Sequence, residues 1–416
     1  INTDASGQGS LVYGKTSDHV LGLEAITIGG DKLSTSPLTV DEALSRSADN
    51  KTTAGIYKQV YETATNYRDQ IREVFPRLNR FLTGYDLEHV LSDDKKHFDL
   101  SRVLAGSEGT LAFITEAKLN ITPIAAYKTM INITYDSFDS ALRNSPFLVD
   151  AKATSVETID SKVLNLAKQD VIWQEVEDLI IEVEGQVIAG LNIVEFNDED
   201  ESNQDDKVSS LCKRLDQLIS TKSSGVISYS VTSDRSAMAR IYAMRKKSVG
   251  LLGNVKGDKK PIAFAEDTAV PPENLADFIA EFRQLLDSHN LEYGMFGHVD
   301  AGVLHVRPAL NMMDPNQEKL LRLISDQVVK LTAKYKGLMW GEHGKGYRSE
   351  YGPEFFGEEL FLELRKIKAA FDPHNRLNPG KICTPIGSEE KLVSVDAVKR
   401  GRFDKQIPID VREEYQ

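Results

Sequence analysis

The stretch Gly297-His298-Val299-Asp300-Ala301-Gly302-Val303-Leu304-His305-Val306-Arg307 constrains this chain more than any other. It sets two histidines and an arginine in an apolar, β-branched run broken by Asp-Ala-Gly, the pattern of two strands joined by a tight turn. With a two-residue turn at Ala301-Gly302, position 298 faces 305, the two Cβ atoms lie about 5 Å apart and Arg307 shares their face. A three-residue turn would separate the histidines. Imidazoles at that spacing suit one divalent ion, and the carboxylate of Glu342, in Trp340-Gly341-Glu342-His343-Gly344-Lys345-Gly346, would complete a set that leaves a coordination position open. Zinc, manganese and iron all accept such ligands. His343 points away from Glu342 in an extended strand, or swings to the open side if glycine bends the chain. It is the candidate base. Either motif alone is common; together they carry weight.

A net charge of −13 argues against nucleic acid or an anionic membrane as partner. An anionic small substrate still fits where local arginines override the global field. Arg245, in the cationic run Arg235 to Ser248, is such a candidate, because a forked guanidinium matches a carboxylate. Cys212 and Cys383 form no Cys-x-x-Cys motif, which points to a reducing, cytoplasmic setting. No apolar run reaches the roughly 18 residues of a membrane span. The chain opens in a small-residue loop at Ile1 and closes in the polar stretch ending Arg412-Glu413-Glu414-Tyr415-Gln416, and both ends read as parts of something longer.

Periodicity predicts a strand over 21–28 turning at Gly29-Gly30-Asp31, helices over 39–48 and 54–74, and a loop entering a buried strand at 106–114. Strands follow at 129–134, 178–183, 191–196, 225–231 and 261–265. Helices are expected over about 207–220, 235–252, 273–289 and 315–335, with 197–206 a solvated acidic loop. Interleaved strands and helices imply an α+β fold in which helices cover an antiparallel sheet. The texture changes near 126, suggesting one unit over 1–125, a second over 126–370 and a return to the first over 371–416. Glycines in Gly106-Ser107-Glu108-Gly109-Thr110-Leu111-Ala112 allow a backbone to approach phosphates or a flat ring, although an ordinary tight loop reads the same way.

Four stretches in this order resemble the FAD-linked 2-hydroxyacid dehydrogenases of the vanillyl-alcohol-oxidase fold. Asn2 to Gly9, with Tyr13-Gly14, resembles the family's loop beside the flavin and implies cofactor contacts at Asn2, Ser6 and Gly7. Gly106 to Ile114 is similar to Gly-Ser-Glu-Gly-Thr-Leu-Gly, with Ala112 at its last glycine, and implies contacts at Gly106, Ser107, Gly109, Thr110 and Ile114. The hairpin and Glu342-His343-Gly344 resemble the metal and catalytic motifs. Asp372 to Ile382 resembles a closing loop whose asparagine, here Asn378, meets the isoalloxazine. The likeness is greatest to large bacterial D-2-hydroxyglutarate dehydrogenases, which carry an iron–sulphur module after the flavoprotein part.

The resemblance implies hydride transfer from a D-2-hydroxyacid to FAD. The divalent ion would sit on His298, His305 and Glu342, His343 would act as base, and Arg245 would clamp a carboxylate. Ala265 stands where many members have a substrate lysine, so Arg307 or Lys345 is expected to take the distal carboxylate. Asp300, Ala301 and Val303 also depart from the family hairpin. The pyrophosphate-binding loop is expected before Ile1, and a 4Fe-4S cluster only after Gln416. The implied partners are the hydroxyacid and an electron acceptor or the iron–sulphur module; the acceptor could bring the protein to the inner membrane, and a homo-oligomer is compatible. Oxidase and dehydrogenase chemistry both fit, as do D-lactate and glycolate. A flavin-free metallohydrolase and a non-catalytic docking scaffold are the rivals from other classes.

Overall fold

The helix that follows the first strands illustrates how local signals set the frame. Thr39 caps the helix Val40–Ser47: its hydroxyl accepts from Glu42 N at 3.3 Å, while Glu42 Oε2 accepts from Thr39 N at 2.8 Å, a reciprocal pair that satisfies two of the helix's free donors. A computed structural model describes residues 1–49, 52–253 and 257–398; the polar stretch at Arg412 to Gln416 lies outside the described residues.

Among them, residues before 120 build a three-stranded antiparallel sheet in the order Lys32–Thr35, Val20–Ile26, Phe113–Leu119. The strand following the 106–112 loop was expected to be buried, yet Phe113 is 70% exposed. Phe113–Leu119 is an edge strand paired on one side only among the described residues, so apolar composition there does not signal a core.

Residues after 126 build an eight-stranded sheet. Its main path runs Lys260–Pro261, Val303–Leu310, Tyr293–His298, Ser155–Asp160, Gly190–Asp198, Tyr127–Tyr135, Val226–Thr232, every pairing antiparallel. Both faces are covered, as neighbouring side chains show. Met130, Ile159 and Ile193 join one core with Val163 and Ile241; Ile131, Val156 and Val194 join the other with Phe278 and Leu321. Period-two alternation sends successive residues into opposite layers. The expected helices are present as Arg235–Gly253, Leu275–Ser288 and Pro315–Lys334.

Three expectations are corrected. The segment 178–183 is not a strand but follows the 3₁₀ turn Glu177–Leu179; Leu179 O accepts from the side chains of Asn132 and Ser230, so it meets the sheet without a backbone ladder. Of the expected 261–265 strand only Pro261 is in a strand, the two-residue Lys260–Pro261; Ile262 N still donates to Pro308 O at 3.0 Å, and the chain then turns away at 263–264. The helix placed at 207 begins at Glu201, with Asp200 accepting from Asn203 N at 2.8 Å. The acidic run 197–206 thus ends one strand at Asp198 and starts the helix, with Asp200 as cap and Glu201 in the first turn, where negative charge is favourable.

Candidate active site

The hairpin forms with a longer connection than expected. His298 pairs with Val303 and Phe296 with His305, so 298 does not face 305. Val299–Ala301 make one 3₁₀ turn and Gly302 closes it at φ +68, where a Cβ would lie 1.8 Å from Val270 O. Only glycine fits. The register is displaced by two residues, and an even displacement keeps side chains on the same face. The histidines therefore still meet, diagonally, with ring centroids 5.6 Å apart. His298 also lies opposite Glu157 on Ser155–Asp160.

The Trp340 to Gly346 segment wraps around two buried charges. Asp267 accepts the backbone N–H groups of Glu342 and His343, each at 2.9 Å. Arg348 donates to the carbonyls of Met339 and Gly344 at 2.7 and 2.9 Å, and Gly344 bends at φ +86. Glu342 and His343 consequently both turn to the hairpin. Glu342 Oε1 lies 2.9 Å from His305 Nε2, 3.2 Å from His298 Nε2 and 3.6 Å from His343 Nε2. The His305 and His343 rings stack at 4.7 Å. Ligand atoms of Asp267, His305, Glu342 and His343 lie within 4.8 Å of one another; Asp267 is committed to the loop's backbone, whereas His298 shares the Oε1 focus.

Carboxylates orient these rings from behind. His298 Nδ1 contacts Glu157, which also pairs with Arg245. His343 Nδ1 lies 3.0 Å from Glu266 Oε1. Burial disfavours charge on His298, but Glu157 and then Glu342 overcome it and push its pKa up to about 9. The Glu266 hydrogen bond raises that of His343. Burial opposes ionisation of Glu342, yet His298, His305 and Arg80 hold it well below the usual carboxylate range. A neutral His298 that gives its Nδ1 proton to Glu157 presents an Nε2 lone pair to a carboxylate lone pair at 3.2 Å, a repulsion relieved only by a proton or a cation between them. The donor set fits a divalent ion.

The glycine loops lie alongside. Asn2 O accepts from Glu108 N at 2.7 Å and Ile1 O from Gly106 N at 3.0 Å, so the opening loop and the 106–110 loop form one surface. Asn378 Nδ2 donates to Glu108 O at 2.7 Å. Glu108 itself reaches across: its carboxylate accepts from Lys345 N at 2.5 Å and Gly346 N at 3.0 Å. Gly109 adopts φ +70 and a Cβ there would meet open space, as it would at Gly7. The buried hydroxyls of Ser6 and Ser107 have no partner among the described residues; Thr110 Oγ1 donates to Ser107 O at 2.6 Å. Open space at Gly7 and Gly109 and unpaired hydroxyls at Ser6 and Ser107 in the same two loops fit the phosphate or ring edge of a flavin. Ile114 sits half-buried on the edge strand, pairing with Ala25.

Arg245 and Arg307 reach the cluster through Glu157 and Glu266, Arg307 at 3.3 Å. Lys345 does not: its Nζ is buried 4.2 Å from the Trp340 ring centroid and 4.3 Å from that of Phe356. Sequence reasoning missed Arg80, Glu157 and the bridging role of Glu108. A lone glutamate inside the apolar strand Ser155–Asp160 was the one available signal; Arg80 lies in an unpatterned loop.

This arrangement defines a class. The family model "FAD linked oxidases, C-terminal domain" matches residues 124–382, and the chain belongs to that family. Solved structures agree on a vanillyl-alcohol-oxidase-type fold. p-Cresol methylhydroxylase aligns with a TM-score of 0.58 at 12% identity, covering 93% of this chain and 69% of that one. 4-Ethylphenol oxidase from Gulosibacter chungangensis gives 0.55 at 11%, covering 89% and 67%. Within the family, the chain is 64% identical to D-2-hydroxyglutarate dehydrogenase of Escherichia coli strain K12 over 415 residues, covering 100% of this chain and 41% of that protein. It is 50% identical to the Pseudomonas putida protein of the same name, covering 98% and 40%. The chain thus spans about two-fifths of the length of these curated relatives.

Proposed function

We propose that this chain is the hydroxyacid-oxidising part of an FAD-dependent D-2-hydroxyacid dehydrogenase, with D-2-hydroxyglutarate, converted to 2-oxoglutarate, as substrate. The observation that carries the reading is the convergence of three imidazole Nε2 atoms on Glu342 Oε1 beside the Gly106–Thr110 loop. The relatives' name supports the choice of substrate. When bound, FAD supplies a hydride acceptor and a divalent ion on His298, His305 and Glu342 supplies the positive charge that makes an α-hydroxyl acidic.

His343 takes the hydroxyl proton. Glu266 accepts from its Nδ1–H, which leaves Nε2 as the basic atom, and the His343 side chain is 43% exposed and so open to a substrate. Arg245 and Arg307 hold the two carboxylates of the substrate, fixing C2 in one orientation. Both arginines are paired to glutamates in this state, so binding shares or exchanges those partners. Lys345 keeps a structural role. Electrons leave to an acceptor or to an iron–sulphur module carried outside this span. Cys212 and Cys383 are both free, which supports a reducing compartment.

The test is an anaerobic absorbance titration of the full-length flavoprotein with D-2-hydroxyglutarate, D-lactate and glycolate. Bleaching by D-2-hydroxyglutarate at the lowest concentration is expected. Bleaching by D-lactate or glycolate alone would replace the substrate, and absence of bound flavin would overturn the oxidoreductase reading.

A further inference from the structure

Glu342 has two oxygens, and only one faces the imidazoles. The other, Oε2, is taken by Arg80, a side chain that is 0% exposed. Each of the three guanidinium nitrogens has a partner. Nε donates to Ser10 Oγ at 2.6 Å, one terminal nitrogen to Glu342 Oε2 and the other to Gly7 O. The loop bearing Arg80 is pinned on both sides. Asn79 Nδ2 donates to Ser10 O at 3.1 Å, Asn79 Oδ1 accepts from Ser10 Oγ at 2.8 Å, and Leu82 N donates to Trp340 O at 2.7 Å. Three segments distant in sequence, around Gly7–Ser10, Asn79–Leu82 and Trp340–Glu342, therefore meet at one guanidinium. A buried charge held at all three of its nitrogens has one geometry open to it.

We infer that Arg80 is a positioning residue of the active centre, which withholds Glu342 Oε2 and presents Oε1 alone to the histidine cluster. The inference rests on the reading of His298, His305 and Glu342 as a metal site. A carboxylate with both oxygens free can chelate an ion and occupy two positions around it; one clamped by a guanidinium binds through a single oxygen and leaves a position for substrate. Arg80 cannot itself touch a substrate, since its side chain is fully enclosed. By also gripping Gly7, next to the unpartnered Ser6 hydroxyl, it fixes the opening loop relative to Glu342.

The test uses the full-length flavoprotein, stripped of metal and titrated with Zn²⁺ against a chromophoric chelator, with bound FAD read by absorbance. Wild type, Arg80→Met and Arg80→Lys are compared. Arg80→Met is expected to bind Zn²⁺ about 10- to 100-fold more weakly. Arg80→Lys, which retains a cation on Oε2, should recover much of that loss. Zn²⁺ affinity in Arg80→Met equal to wild type overturns the inference. If Arg80→Met does not fold, Ser10→Ala, which removes the Nε acceptor together with the donor to Asn79 Oδ1, is expected to weaken Zn²⁺ a few-fold, and an unchanged affinity there overturns it too. Wild type that fails to bind Zn²⁺ sinks the metal-site reading itself, and this inference with it.

Discussion

Replacing Lys345 with methionine should stabilise the protein without weakening substrate binding. The ammonium is 1% exposed and lacks a hydrogen-bond partner among the described residues. Burial drives its pKa down from 10.5 to about 7, Glu108 only partly opposing this. At about 1.4 kcal/mol per tenfold, that depression corresponds to roughly 4–5 kcal/mol held against the folded state when the lysine is fully charged. The faces of Trp340 and Phe356 return part of it, at most about 2 kcal/mol each for desolvated cation–π contacts. Methionine has nearly the same shape and no charge, so a net gain of roughly 1–3 kcal/mol at pH 7 follows. The sign with pH is fixed by linkage: between about 7 and 10.5 the unfolded chain holds a proton that the folded chain has lost, so wild-type stability rises with pH. The advantage of the variant should shrink across that window and vanish near its upper end. Urea unfolding of both proteins at pH 7 and pH 10, with KM measured for the hydroxyacid, reads all of this. A less stable variant, or a pH-independent gain, would refute the burial argument. A tenfold rise in KM would mean that the ammonium reaches the substrate after all.

Other outcomes follow from the same geometry. Glu157→Gln keeps an acceptor for His298 but loses its charge, and should weaken metal binding about 10- to 100-fold, measured by chelator competition; equal affinity would make Glu157 purely structural. Because metal-free His298 holds its proton up to a pKa of about 9, Mn²⁺ affinity should climb with pH toward that value and then level, so a flat profile between pH 6 and 9 contradicts the assignment. His343→Ala should abolish substrate bleaching of the flavin and leave metal content intact, and loss of metal would make His343 a ligand instead of the base. Arg307→Met should raise KM at least about tenfold, the usual scale for a charged hydrogen bond, for a dicarboxylic hydroxyacid but not for D-lactate; equal effects on both would remove it from the distal carboxylate.

Much of this centre could be read from residues alone, for reasons that differ between its parts. The meeting of His298, His305 and Glu342 was legible because polar side chains in an apolar run violate ordinary patterning, and an even register shift spared the reading from its wrong turn length. Helices such as Pro315–Lys334 announced themselves by period and by a proline at their start. The edge strand Phe113–Leu119 misled because composition cannot tell a core from an uncovered edge. The all-buried strand Ser155–Asp160 and the helical stretch Gly352–Phe371, kinked at Gly357, went unread. Arg80 was out of reach, since its function depends on contacts with Gly7 and Glu342, 73 and 262 residues away.

Glu108, in the 106–110 loop, reaches across to the turn that carries Glu342 and His343. One carboxylate thereby makes the ordering of two loops a single event. Whichever ligand arrives first, flavin or metal, bears the entropy of fixing both, and the second meets a loop already still. Their affinities should be raised reciprocally, each by the same factor. Mn²⁺ titrations of the full-length protein with and without FAD measure that factor, and identical curves would show that the two loops move independently.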